Sequence, residues 1–192
     1  MKKQITIFGL AANPIHIGHV GIAKELVKHC DEVWVSPCYS HMHNKNLIES
    51  HHRLAMCRLA TQDIPNIQVS SFEIDNRWMS STYELLCKLR DTFEDTDFSF
   101  AIGQDNADHI DQWKNSNKLI AEFKFIIIPR NNLDLLKLPC VSSWYRFDPH
   151  VYLYVFKPLH ISSTAIRSNL EIYKNALHFE VYRYIKKHHL YV

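Results

Sequence analysis

Two histidines stand three residues apart in Asn13-Pro14-Ile15-His16-Ile17-Gly18-His19, directly after the apolar run Ile5-Thr6-Ile7-Phe8-Gly9. The β-branched run closing on a glycine reads as a first strand, and the pattern beyond it as a helix from Gly18 to Lys28. A helix start carries unpaired backbone N–H groups and the positive end of a dipole, so an anion is the natural occupant. With His16 and His19 on one face of the first turn, both imidazoles can donate to one phosphate chain, and Gly18 lets that anion come close. The plain alternative is a pair of surface histidines in a turn.

A second constellation lies near the C-terminus, Ile161-Ser162-Ser163-Thr164-Ala165-Ile166-Arg167. Hydroxyls at a helix start hold phosphate oxygens, and Arg167 one turn further in adds a planar, permanently charged fork. Alone, such a start is also an ordinary N-cap. The two motifs together favour the anion site.

The elements that must position these residues alternate along the chain. Strand-like runs fall at 4–8, 32–37, 67–70, 98–102, 123–128 and 151–156, and helical patterns at 18–28, 50–62, 82–93, 106–120, 163–170 and 179–188. That alternation predicts an α/β fold with a parallel sheet wrapped by helices, in which Phe125-Ile126-Ile127-Ile128 suits a strand buried on both faces. Residues 131–149 lack periodicity and read as a loop-rich excursion. Three of the four glycines, Gly9, Gly18 and Gly21, fall in the first strand-to-helix unit, and Gly103 ends the fourth strand. Gly9 and Gly103 thus stand at carboxyl ends of strands, where open parallel sheets bind ligands.

With 192 residues and 46% hydrophobic content, the chain suits one globular domain over 1–192. A net charge of +2 without blocks of like charge offers no nucleic-acid footprint. No segment reaches membrane-span length, and the N-terminal apolar stretch, interrupted by Gln4, Thr6 and Gly9, is a poor signal peptide. Five cysteines (Cys30, Cys38, Cys57, Cys87, Cys140) without a C-x-x-C fit a reducing cytoplasm. No G-x-G-x-x-G supports a dehydrogenase-type dinucleotide cofactor. His41, His43, His51 and His52 gather in one stretch but lack metal-ligand spacing, and adjacent His51 and His52 on a helix should point to different sides. Lys186-Lys187-His188-His189 reads as charge favourable to a helix C-terminus.

Taken with their context, these motifs resemble the nicotinate or nicotinamide mononucleotide adenylyltransferases of the nucleotidyltransferase superfamily. The family pattern of a glycine-rich turn into N/D-P-x-H-x-G-H reads here as Gly9 to His19, and I-S-S-T-x-I-R as Ile161 to Arg167. Gly103-Gln104-Asp105 with Trp113 is similar to the family's G-x-D and downstream tryptophan, and Ile127-Ile128-Pro129-Arg130 to its strand ending in arginine. Val181 to Ile185 and His189-Leu190-Tyr191 resemble its C-terminal helix and tail, so the likeness covers nearly the whole chain. Leu10 and Ala12 replace a glycine and an aromatic, and Ser80-Ser81-Thr82 stands where the family has Ser-Tyr-Thr.

The resemblance implies a Rossmann-like, doubly wound parallel sheet with a C-terminal helical segment. It also implies transfer of the adenylyl group of ATP to a pyridine mononucleotide, with Mg²⁺ carried by the ATP. His16, His19 and Arg167 would be catalytic; Gly9, Leu10, Ala11, Gly18, Gly103, Asp105, Ile161, Ser162, Ser163 and Thr164 would join them around ATP. Asn13, Lys45, Thr82, Asp105, Trp113 and Arg130 would hold the mononucleotide, with Arg53 a weaker basic candidate. For Lys45 and Arg53 a solvated surface role is the alternative, for Asp105 an N-cap, and for Trp113 a place in the core. The expected partners are small molecules, neither nucleic acid nor membrane, with a possible homo-oligomer. Competing readings are a phosphopantetheine-type adenylyltransferase, a class I aminoacyl-tRNA synthetase relative, which shares H-x-G-H, and a nucleotide-binding protein without turnover.

Overall fold

The computed structural model describes residues 2–40, 47–77, 80–129, 143–153, 159 and 161–191. Six strands, β1 (Lys3–Leu10), β2 (Glu32–Pro37), β3 (Ile67–Val69), β4 (Thr96–Gly103), β5 (Lys124–Ile128) and β6 (Val151–Tyr152), form one sheet in the order β3-β2-β1-β4-β5-β6. Every neighbouring pair is parallel. Between and after the strands run α1 (Ile17–Leu26), α2 (Ser50–Thr61), α3 (Phe72–Asp75), α4 (Thr82–Thr92), α5 (Gln104–Ala107), α6 (Ser116–Glu122), α7 (Ser163–Ser168) and α8 (Phe179–Lys187).

Strand side chains alternate between two cores. Phe8, Val33, Val35, Ala101, Ile126 and Ile128 meet Ala23 and Leu26 of α1, Met56, Cys57 and Ala60 of α2, and Val181 and Ile185 of α8. Ile5, Ile7, Phe98, Phe100, Phe125 and Ile127 meet Leu85, Leu86 and Leu89 of α4 and Leu119 of α6 on the opposite face. This is the helix-wrapped parallel sheet the alternation predicted and the doubly wound arrangement the resemblance implied, with β5 buried on both sides. The chain reverses its direction of travel across the sheet between β1 and β4, and their carboxyl ends open a crevice there.

Some elements depart from the sequence pattern. The helix expected over 106–120 is broken into α5, a 3-10 turn at Ile110–Gln112 and α6. Trp113 turns extended, and Asn115 takes a left-handed φ of 59°, a conformation that no helix interior admits. The four-residue α3 is too short to show a period. Within the expected excursion, Trp144–Arg146 form a 3-10 turn whose Tyr145 is buried, while 130–142 lie outside the described residues, as do 154–156 of the sixth expected strand.

Arg53, a candidate for phosphate binding, has a different job. It is 1% exposed, and its guanidinium donates to the carbonyls of Ile48 (3.0 Å), Ala11 (3.0 Å), Cys38 (2.7 Å) and Tyr39 (2.8 Å). One planar fork thereby ties the ends of β1 and β2 to the approach to α2. Lysine keeps the charge but lacks the fork, so Arg53→Lys should lower stability by about 2–4 kcal/mol in urea unfolding. An unchanged midpoint would mean that these carbonyls find other partners.

Candidate active site

The first histidine motif is built as a reciprocal cap. Helix α1 starts at Ile17, one residue earlier than expected, and His16 stands outside it as the N-cap. The His19 N–H donates to His16 Nδ1 (3.4 Å) while the His16 N–H donates to His19 Nδ1 (3.3 Å). The rings stack with centroids 3.7 Å apart and planes 22° apart. Backbone N–H groups are obligate donors, so both Nδ1 atoms are acceptors, and each neutral ring carries its proton on Nε2. The pair therefore presents two Nε2–H donors.

Gly18 serves the same arrangement. A Cβ there would meet His16 Nδ1 at 3.0 Å and Cε1 at 3.1 Å, so the missing side chain makes room for the imidazole over the helix start. The sequence reading gave that room to the anion itself. At Gly9 a Cβ would meet Phe100 Cζ at 3.1 Å, which lets β1 and the Phe100 ring close up at the crevice, whereas Gly103, the N-cap of α5, faces open space.

Burial dominates the titration of the pair. It lowers His16 to about 4, and burial together with the neighbouring His16 lowers His19 to about 3. Both rings are neutral at pH 7.

The second motif is tied directly onto the first. Arg167 Nη1 donates to the Asn13 carbonyl (2.7 Å) and Ser163 Oγ to the Pro14 carbonyl (2.9 Å). Asn13 Oδ1 accepts from Tyr191 Oη (2.9 Å) and from the Ile48 N–H (3.4 Å). Donor accounting revises the expectation for the hydroxyls. Ser163 uses its one proton on Pro14, so it has none for a phosphate. Ser162 Oγ caps α7 by accepting the Ala165 N–H (3.1 Å), and Thr164 Oγ1 accepts from Arg167 Nη2 (3.2 Å), so those two keep their own protons. The N-cap reading of Ser162 thus holds together with its place at the site. Ile161 packs on the core beneath α7.

Beside this anion-facing edge lies a cavity of ≈ 390 Å³. Gly9, Leu10 and Ala11 after β1, Cys38 and Ser40 after β2, Glu73 of α3, Ser80, Ser81 and Thr82 at the start of α4, and Asn106, Trp113 and Lys114 after β4 line it together with Phe100. Ser81 caps α4 in a reciprocal box with Glu84, a tyrosine-free solution at that position. Trp113 is half-buried, one edge against Phe100 (centroids 6.4 Å) and the rest on the cavity, so both readings of it apply. Leu10 lines the wall, whereas Ala12, with φ 50° and 1% exposure, sits in the core. Asp105 lies in the first turn of α5, which Gly103 caps, so it is not the N-cap.

The structure thus gathers His16, Gly18, His19, Asn13, Ser162, Thr164 and Arg167 at one edge, and Gly9, Leu10, Ala11, Thr82 and Trp113 around the adjoining cavity. Lys45 and Arg130 lie outside the described residues, as do His41 and His43. His51 and His52 do not diverge as expected; their ring centroids are 4.0 Å apart, and His52 Nδ1 meets Tyr184 Oη at 2.9 Å. Sequence reasoning missed Glu73 and Cys38, because nothing in the sequence around them marks a cavity; Ser80 and Lys114 lie close in sequence to the candidates Thr82 and Trp113 but are not themselves among the sequence-predicted site residues.

Residues 7–169 match the family model described as cytidylyltransferase-like, and fold and site together define a nucleotidyltransferase. Among curated proteins, the probable nicotinate-nucleotide adenylyltransferase of Flavobacterium psychrophilum is 31% identical, over 93% of this chain and 94% of that protein. Its counterpart in Bacteroides thetaiotaomicron is 32% identical over 97% and 93%. A solved structure, Plasmodium falciparum nicotinic acid mononucleotide adenylyltransferase complexed with NaAD, superposes with a TM-score of 0.83 at 26% identity, covering 98% of this chain and 97% of that one. The chain belongs to the nicotinate-nucleotide adenylyltransferase family, and is an enzyme.

The buried imidazoles make stability depend on pH. Below about 6.5 the unfolded chain binds protons that the folded rings refuse, so stability falls as pH drops towards about 4 for His16 and about 3 for His19. Replacing both by asparagine, which keeps a capping oxygen at position 16, should remove on the order of 6 kcal/mol of the loss between pH 7 and pH 4, roughly half from each ring. Urea unfolding at the two pH values measures it, and an undiminished loss in the double variant would contradict neutral, buried rings.

Proposed function

We propose that this chain joins ATP to the 5′-phosphate of nicotinate mononucleotide, forming the NAD-type dinucleotide and pyrophosphate in NAD biosynthesis. A phosphate oxygen of the mononucleotide attacks the α-phosphorus of ATP; the bond from that phosphorus to the bridging oxygen breaks, and pyrophosphate leaves with the electron pair. The observation that carries the reading is the coupling of two anion-facing helix starts, α1 and α7, through Asn13 and Pro14, beside a cavity of ≈ 390 Å³. The names of the relatives and the NaAD complex of a structural neighbour support the acceptor.

The attacking phosphate has a second pKa near ~6 and arrives ionised, so no general base is needed. Catalysis then lies in bringing two anions together and meeting charge as it develops. In this reading the Nε2–H groups of His16 and His19 donate to the α-phosphate region, with His19 nearest the reacting centre. Arg167, the Ser162 and Thr164 hydroxyls and the free N–H groups at the start of α7 hold the β and γ phosphates. Gly9, Leu10, Ala11, Gly18, Gly103, Asp105 and Ile161 frame ATP, and Asn13, Thr82 and Trp113 the mononucleotide. Mg²⁺ enters with ATP, because the groups turned towards the phosphate path are donors suited to anions and leave the metal to phosphate oxygens and water. The free thiols of Cys30, Cys38, Cys57 and Cys87 support a cytoplasmic setting. Among the described residues no helix is long and apolar enough to cross a membrane.

Incubation with ATP, Mg²⁺ and nicotinate mononucleotide should yield dinucleotide and pyrophosphate in equal amounts, with the nicotinamide form and phosphopantetheine as comparison acceptors. No product with either pyridine acceptor would refute the reading. His19→Ala should lower kcat by roughly 10²-fold or more while the Kd for ATP changes far less. Equal turnover would remove His19 from the reacting centre.

A further inference from the structure

Three ionisable side chains on the cavity beside the histidine pair, Cys38, Glu73 and Lys114, have no task in the chemistry above; Lys114 is paired with Glu84 (2.6 Å), which leaves Glu73 as the charge without a partner among the described residues. Glu73 is 8% exposed and lines the cavity, and its carboxyl makes no hydrogen bond among the described residues. The charged and titratable groups facing it are the Arg53 guanidinium, whose described hydrogen bonds to oxygen all go to carbonyls, and the Cys38 thiol. A carboxyl drawn largely out of water without a hydrogen-bond partner is costly, and its oxygens keep enough access to meet a ligand that compensates it. The same cavity presents the aromatic rings of Trp113 and Phe100. Carboxylate and aromatic faces together are the chemistry of cation recognition.

The acceptor of the proposed reaction brings such a cation. Its pyridine nitrogen is quaternary through the bond to ribose, so the ring carries a permanent positive charge whether its substituent is an acid or an amide. We propose that Glu73 is a specificity-determining residue that reads the positive charge of the acceptor's pyridinium ring, with Trp113 and Phe100 supplying the aromatic walls. This inference rests on the pyridine mononucleotide reading above.

The setting explains how the charge is kept and used. Burial pushes the Glu73 carboxyl up to about 7, against the pull of Arg53. Near neutrality it is only partly ionised in the free protein, and an arriving cation favours the ionised form. A ring of the same shape without the charge gains nothing from it.

The test compares nicotinate mononucleotide with its uncharged isostere, the 3-carboxyphenyl C-riboside 5′-phosphate, by steady-state rates. The wild-type chain should prefer the cation about tenfold in kcat/KM, and Glu73→Gln should shrink that preference to about twofold while the KM for ATP stays put. In the wild-type chain alone, the ratio of the two acceptors should rise with pH through about 7, since phosphate titration is common to both and cancels. This second measurement needs no variant to fold. A preference that is unchanged in Glu73→Gln and flat with pH overturns the inference alone. Failure of the wild-type chain to make dinucleotide from nicotinate mononucleotide overturns the functional reading, and the inference with it.

Discussion

Four donors from three separate stretches of chain converge on Asn13 and Pro14. Arg167 and Ser163 reach their carbonyls from α7, Tyr191 reaches the Asn13 side chain from the C-terminal tail, and Ile48 donates to it from the segment entering α2. Asn13 is 3% exposed, and its carbonyl and Oδ1 are both paired by protein. Satisfying them fixes where α7 and the tail sit relative to the start of α1. The distance between the two anion-facing helix starts is therefore set by hydrogen bonding at a single turn. Because two donors converge on Oδ1, the Asn13 amide has one orientation, with its NH₂ turned the other way.

The same economy appears in the placement of charge. Arg53, the basic side chain deepest in this region, is turned onto backbone carbonyls, and the histidines are held neutral by burial and by each other. A site for two polyanionic substrates would be expected to concentrate cations. Among the described residues, backbone N–H groups, Nε2–H groups and Arg167 stand on one side, and the Glu73 carboxyl stands on the other, inside a cavity whose Lys114 is paired with Glu84. Neutral donors fixed in a dry site need no reorganisation when charge develops, which is where electrostatic catalysis gains most.

Much of this was legible in the sequence, for reasons that are local. The β-branched and apolar runs of β1, β2 and β5 report burial directly, and the H-x-G-H and S-S-T-x-I-R patterns report helix starts suited to anions. What was not legible depends on contacts distant in the chain. Arg53 carries the same sequence signal as a solvated arginine, and only the folded chain shows the carbonyls of residues 11, 38 and 39 meeting it. Glu73 lies in a helix too short to have a period, so nothing local marks it as buried. Asn115 breaks an expected helix through one left-handed residue, a conformation that asparagine adopts more readily than most side chains but that the apolar period does not mark.

Two imidazoles with centroids 3.7 Å apart cannot both be charged cheaply, so the pair accepts at most one proton without separating. Each ring's Nδ1 is already occupied as an acceptor, so the proton that would make one ring cationic has to displace a backbone N–H from the cap. Protonation and helix start are thus linked, and an anion above the pair has to compensate both the desolvation of the cation and the broken cap. Under the adenylyl-transfer reading this keeps the rings as neutral donors through the reaction cycle. The change in charge at the α-phosphorus is then met by hydrogen bonds shortening on a rigid frame. Gly18, by leaving room for the His16 ring, is what makes that frame possible.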